Sequence, residues 1–122
     1  MLRNILLVDD EKGITEILKT GLEGKGFHVN AYNDPADALA NFKSGKYDIV
    51  ITDIQMPKMN GFELYRAIRK IDEKVDICFF TAFDVYNDEF EKLFPQVRVK
   101  GFLKKPVTIA QIVARLKEFE SS

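Results

Sequence analysis

The feature that most constrains this chain is a regular alternation of short apolar runs with amphipathic stretches. Apolar runs at residues 5–8, 29–32, 47–52, 75–80 and 97–103 have the length of strands. Between them, Ile14, Ile17, Leu18, Gly21 and Leu22 recur at helical spacing, as do Phe62, Leu64, Tyr65, Ile68 and Ile71. Asp34 and Pro35 suit the opening of a short helix through Ala36, Ala38, Leu39, Ala40 and Phe42, with Gly45 as its end. Thr108 is placed to cap a last helix carrying Ile109, Ile112, Val113, Leu116 and Phe119 on one stripe. Strands alternating with helices of this length predict an α/β fold: a mainly parallel sheet, right-handed crossovers, and helices on both faces.

The chain has 122 residues, 46% of them hydrophobic and 30% charged, which suits one ordinary globular domain with its own core. No repeat, low-complexity tract or long linker divides it, so residues 1–122 are expected to form one domain without an output domain. A single cysteine, Cys78, and a single histidine, His28, exclude an internal disulfide and a Cys/His zinc site. The first apolar run is too short for a signal peptide or membrane span and acids follow at once, so a cytoplasmic protein with no membrane partner is expected. A net charge of −1 gives no general reason to bind nucleic acid. Arg98, Lys100 and Lys104, alternating with apolar residues, read as one solvated strand edge.

Ligands of open parallel sheets bind beyond the carboxyl ends of the strands. There the first run ends in Asp9-Asp10-Glu11, the third in Thr52-Asp53, the fourth in Thr81 and the fifth in Lys104-Lys105-Pro106. Any one of these alone reads more simply as a polar residue ending a strand; together they gather acids, a hydroxyl and an ammonium. Two carboxylates about 4 Å apart repel by about 4 kcal/mol at an effective dielectric of about 20, so the cluster calls for a cation. Oxygen ligands suit Mg2+, which commonly pairs carboxylates with phosphate oxygens. A carboxylate can itself attack phosphorus when the transferring group's charge is neutralised, and Asp53 has such helpers.

These residues, in this order and separation, resemble a response-regulator receiver domain: Val8-Asp9-Asp10-Glu11, Asp53 through Gly61 with Met56-Pro57 and Asn60-Gly61, Thr81-Ala82 and Lys105-Pro106. The resemblance covers essentially the whole chain. It implies a flavodoxin-like, doubly wound sheet of five parallel strands in the order 2-1-3-4-5. It implies Asp53 as phosphoacceptor, Asp9 and Asp10 as Mg2+ ligands directly or through water, and the backbone carbonyl of Gln55 as a further ligand. Lys105 would pair with the phosphoryl oxygens and the Thr81 hydroxyl would bond to them. Phe102, three residues before the lysine, takes the place of the family's switching aromatic and lacks a hydroxyl. The Lys105-Pro106 bond would be cis.

As implied partners, a sensor histidine kinase or phosphotransfer protein would donate the phosphoryl group, a downstream protein would respond, and the last helix and strand offer a route to a homodimer. The domain would be no enzyme beyond its own phosphorylation and slow dephosphorylation. Two alternatives stand beside this reading. A phosphohydrolase with an aspartyl nucleophile would want a second acid near Asp53, where Gln55 offers no acid–base chemistry. A phosphorylation-independent interaction module would be marked by a missing acid, lysine or hydroxyl, and all are present. Residues 83–100 match the family least: Tyr86, Phe90, Leu93 and Phe94 form a helical stripe broken by Pro95, where small residues are common before the last strand.

Overall fold

The computed structural model describes residues 3–82 and 100–121. Five strands, β1 (Asn4–Val8), β2 (His28–Tyr32), β3 (Ile49–Asp53), β4 (Asp76–Thr81) and β5 (Gly101–Lys104), form one sheet in the order β2-β1-β3-β4-β5. Every pairing is parallel, with Ile5 opposite Ile49, Asp53 opposite Phe80, and Phe79 opposite Phe102. Among the described residues the helices are α1 (Lys12–Glu23), α2 (Pro35–Ala40), α3 (Gly61–Ile71) and α4 (Ile109–Ser121). The predicted α/β architecture and strand order are those observed.

Side chains alternate across the sheet, and the central strands are apolar on both faces because both are covered. Leu6, Val8, Val50, Ile77 and Phe79 face one layer, closed by Leu64, Tyr65 and Ile68 of α3 and Ala38 of α2. Ile5, Leu7, Ile49, Ile51, Cys78 and Phe80 face the other, closed by Leu18 and Leu22 of α1 and by Ile112, Leu116 and Phe119 of α4. Each fully buried Leu or Ile contributes about 1.5–3 kcal/mol relative to exposure, so the two layers carry the fold.

Local chemistry fixes where the helices start. Asp34 Oδ1 accepts the Ala36 N–H at 2.8 Å, with Pro35 in the first turn. Asn60 and Glu63 form a reciprocal capping box at α3, each side chain accepting the other's backbone N–H. Thr108 and Gln111 do the same ahead of α4, at 3.1 and 2.8 Å.

Several boundaries differ from the sequence expectation. Helix α2 stops at Asn41, whose backbone and side-chain N–H groups both return to Asp37 O. Gly45 lies four residues farther on, at φ +80°, where it makes a turn and donates its N–H to Asp72 Oδ2 at 3.2 Å. The third strand begins at Ile49 rather than at 47 and runs to Asp53. Ile17, one of the apolar residues at helical spacing, is 69% exposed, because α1 buries Thr15, Leu18 and Leu22 and Ile17 sits about 100° around the helix from Leu18. Ile71, in the last turn of α3, is 46% exposed. The stripe from Tyr86 to Phe94 and the predicted strand start at residue 97 lie outside the described residues. No helix among the described residues is long and apolar enough to cross a membrane.

Candidate functional site

Four neighbouring strands deliver the polar residues to one edge of the sheet. Asp9 follows β1 and is tied to β2 by its N–H, which donates to Tyr32 O at 3.1 Å. Its carboxylate is wholly buried. Oδ1 accepts the Glu11 N–H at 2.9 Å, and Oδ2 accepts a hydrogen bond from Lys105 Nζ at 2.7 Å. Asp53 ends β3 and is buried as well. Its Oδ1 accepts from the N–H groups of Ile54 and Gln55, at 2.7 and 3.3 Å, and its Oδ2 accepts from Lys105 Nζ at 2.9 Å.

One ammonium thus bridges two carboxylates from different strands. Lys105 is anchored by its own N–H, which donates to Thr81 O at 2.8 Å, and its Nζ lies 4.7 Å from the centre of the Phe80 ring. Burial opposes its charge, but the hydrogen bonds it donates to Asp9 and Asp53, together with their charges, outweigh that cost and hold the Lys105 pKa above its ordinary value. The Lys105-Pro106 peptide bond is cis.

Asp10 is exposed, and its carboxylate offers an oxygen within 4.8 Å of oxygens from Asp9 and Asp53. The donor set is oxygen only, and the three carboxylates exceed the single ammonium in charge, which fits a hard divalent cation such as Mg2+. Each engaged carboxylate oxygen retains lone-pair capacity for a further partner.

The loop after Asp53 is shaped by its backbone. Met59 donates to Pro57 O at 2.8 Å across a tight turn centred on Lys58, at φ +69°. Gly61 opens α3, donates to Ile54 O at 2.8 Å, and lies hard against the Asp53 carbonyl. Gln55 is exposed at the start of this loop.

Thr81 is buried at the end of β4, one residue beyond the register partner of Asp53. Phe102 is farther from the acids: half-buried on β5, its ring stacks on Phe79 with centroids 5.9 Å apart and planes at 29°. The structure therefore gathers Asp9, Asp10, Asp53 and Lys105 directly, with Thr81 adjacent and Phe102 joined through the aromatic layer.

Two contributors were not foreseen. Phe80 lies beneath the ammonium. Asn33, which ends the second apolar run, donates from Nδ2 to Asp9 O at 2.9 Å and to Thr15 Oγ1 at 2.8 Å. The strand-end rule that selected the other residues, extended to that run, points at Asn33. For Phe80 the sequence offers only a core aromatic.

Residues 5–117 match the family model of the response regulator receiver domain. The chain is similar to the transcriptional regulatory protein PrrA of Mycobacterium leprae, with 33% identity over 113 residues, 93% of this chain and 48% of that protein. It is also similar to the alkaline phosphatase synthesis transcriptional regulatory protein PhoP of Bacillus subtilis, with 30% identity over 118 residues, 96% of this chain and 48% of that protein. The chain spans about half the length of the curated relatives it matches.

Among solved structures, the chemotaxis response regulator CheY4 of Vibrio cholerae aligns with a TM-score of 0.81 and 26% identity, covering 98% of this chain and 99% of that one. The response regulator TrrA of Thermotoga maritima, solved in complex with Mg(2+)-BeF, aligns with a TM-score of 0.80 and 30% identity, covering 97% and 99%. With the sheet order and the strand-end cluster already in place, a family match from Ile5 to residue 117 leaves one assignment: the chain belongs to the response regulator receiver domain family, the phosphoacceptor module of two-component signalling.

Proposed function

We propose that Asp53 accepts a phosphoryl group from the phosphohistidine of a sensor histidine kinase or phosphotransfer protein. The observation that carries this reading is the pair of hydrogen bonds from Lys105 Nζ to Asp9 and Asp53, beside a third carboxylate. A carboxylate oxygen of Asp53 forms the new bond to phosphorus as the bond from phosphorus to the imidazole nitrogen breaks, and its electron pair returns to that nitrogen. The product is an aspartyl phosphate.

Asp9, Asp10, Asp53 and the backbone carbonyl of Gln55 would hold Mg2+, which when bound supplies charge neutralisation for the transferring group. Lys105 contributes a compact positive charge that can leave Asp53 and pair with phosphoryl oxygens. The Thr81 hydroxyl donates to the same oxygens. Movement of Phe102 would then report the modification, and its stack on Phe79 is the contact such a movement has to rearrange. Gln55 offers neither acid nor base, so hydrolysis of the aspartyl phosphate is slow self-dephosphorylation rather than turnover of outside phosphoesters.

Residues 1–122 act in this reading as a single receiver domain in the cytoplasm. The response passes by protein contact to a downstream partner, and a homodimer through α4 and β5 is one form that contact can take. The deciding experiment incubates the protein with a small-molecule phosphodonor or candidate kinases, with and without Mg2+, and reads intact mass. One added phosphoryl group that requires Mg2+ and vanishes in Asp53→Asn is expected. No Asp53-dependent gain with any donor sinks the proposal. Phosphoester turnover would favour a hydrolase instead, and partner binding indifferent to Asp53 would favour a constitutive interaction module.

A further inference from the structure

Resting on that reading, we propose that Asn33 is a positioning residue for the divalent-cation site, setting its affinity by fixing the peptide between Asp9 and Asp10. The three carboxylates are not held alike. Asp9 and Asp53 are clamped through both of their carboxylate oxygens by N–H donors and by Lys105. Among the described residues, the Asp10 carboxylate has no hydrogen bond or ion pair, so its direction is inherited from its backbone.

That backbone is held from β2. The Asp9 carbonyl belongs to the peptide joining Asp9 to Asp10, and its oxygen accepts from Asn33 Nδ2 at 2.9 Å. The same amide nitrogen donates to Thr15 Oγ1 at 2.8 Å, and Thr15, buried in the first turns of α1, donates in turn to Lys12 O at 3.0 Å. Both amide hydrogens are thereby used in fixed directions. One end of the network rests on a helix and the other on the edge strand, where Tyr32 O accepts the Asp9 N–H at 3.1 Å. The Asp9-Asp10 turn is restrained on both sides of Asp9, and the Asp10 carboxylate lies within reach of the other two. Groups that orient metal ligands without touching the metal commonly govern affinity by about 10–100-fold.

Asn33 is itself exposed, so its truncation removes the two bonds without opening a cavity in the core. The experiment measures Mg2+ affinity by calorimetry or NMR titration on wild type, Asn33→Ala and Thr15→Ala, with melting of the Mg2+-free forms recorded alongside. Asn33→Ala is expected to weaken Mg2+ binding about 10–100-fold. Thr15→Ala, which leaves the bond to the Asp9 carbonyl, should weaken it by a smaller factor. Because the residue acts through the cation, phosphorylation of Asn33→Ala by a small phosphodonor should return to the wild-type rate once Mg2+ saturates.

An Asn33→Ala affinity within twofold of wild type overturns the inference, as does a phosphorylation defect that saturating Mg2+ leaves in place. In either case a wild type that binds Mg2+ and gains a phosphoryl group on Asp53 leaves the proposed function standing. A wild type that binds no Mg2+ overturns both.

Discussion

The α-carbon of Gly61 packs against the backbone carbonyl oxygen of Asp53, so that any side chain at position 61 would collide with that oxygen and come within 2.9 Å of the Ile54 Cα. The start of α3 and the end of β3 are therefore held at a spacing only glycine permits. Gly61→Ala forces the two backbones apart, and overpacking of this kind costs about 1–3 kcal/mol. A lower urea midpoint and slower phosphorylation of Asp53 are expected together. Unchanged stability would show that the contact yields freely.

Replacing Lys105 tests how far the acids depend on their shared cation. Lys105→Met keeps most of the side-chain volume but strips Asp9, which is fully buried, of its counter-charge. Breaking such a pair typically costs about 3 kcal/mol. The loss should appear in urea unfolding at neutral pH without divalent ions, and millimolar Mg2+ should recover part of it by supplying positive charge. Equal deficits with and without Mg2+ would contradict the electrostatic account.

Asp72 predicts an acid-sensitive stability term remote from the site. Burial pushes its carboxyl up, but the N–H groups of Lys74, Gly45 and Val75, and the charge of Arg69, outweigh burial and hold the pKa below its ordinary value. A depressed folded-state pKa means the contribution is present above the unfolded value, about 3.9, and is lost as pH falls through the lower folded value. In urea titrations across that acid range, Asp72→Asn should show a shallower loss of stability than wild type. Parallel acid limbs would remove Asp72 from the account.

Cys78 supplies a probe of global opening. Burial pushes its thiol up to about 12 against the opposing charge of Arg115, so almost no thiolate exists at neutral pH. A maleimide should leave the native protein unlabelled over the time in which it labels the urea-unfolded chain completely. Labelling should then follow the global unfolding midpoint. Fast labelling under native conditions would expose a local opening of β4.

The parallel α/β architecture and the cluster were both legible in the residues for one physical reason, whereas the strand order followed only from the family resemblance. A strand buried on both faces must be apolar until it ends, so the polar residue at its end is conspicuous and marks the ligand-binding edge. Asp9, Asp53, Thr81 and Lys105 stand out in this way. Caps at Asp34 and Thr108 were legible because their bonds are local. What escaped depends on contacts distant in sequence. Ile17 has the right residue type and nearly the right spacing, but Thr15, bonded to Lys12 and Asn33, takes the inward place instead. Gly45 looked like a helix stop, yet its turn serves Asp72 across 27 positions of chain. No periodicity reveals that Phe80 carries an ammonium on its face.

Phe79 and Phe80 are neighbours in the chain and face opposite sides of β4. Phe79 meets Phe62 edge-on, touches Tyr65 and stacks on Phe102, while Phe80 sits under Lys105, and Thr81 ends the strand. Close-packed interiors transmit displacement rather than absorb it. The carboxylate-lined edge and the aromatic sheet face are consequently mechanically in series through a single strand: a translation or twist of β4 that shifts Phe80 beneath the ammonium also shifts Phe79 within the rings on the other face.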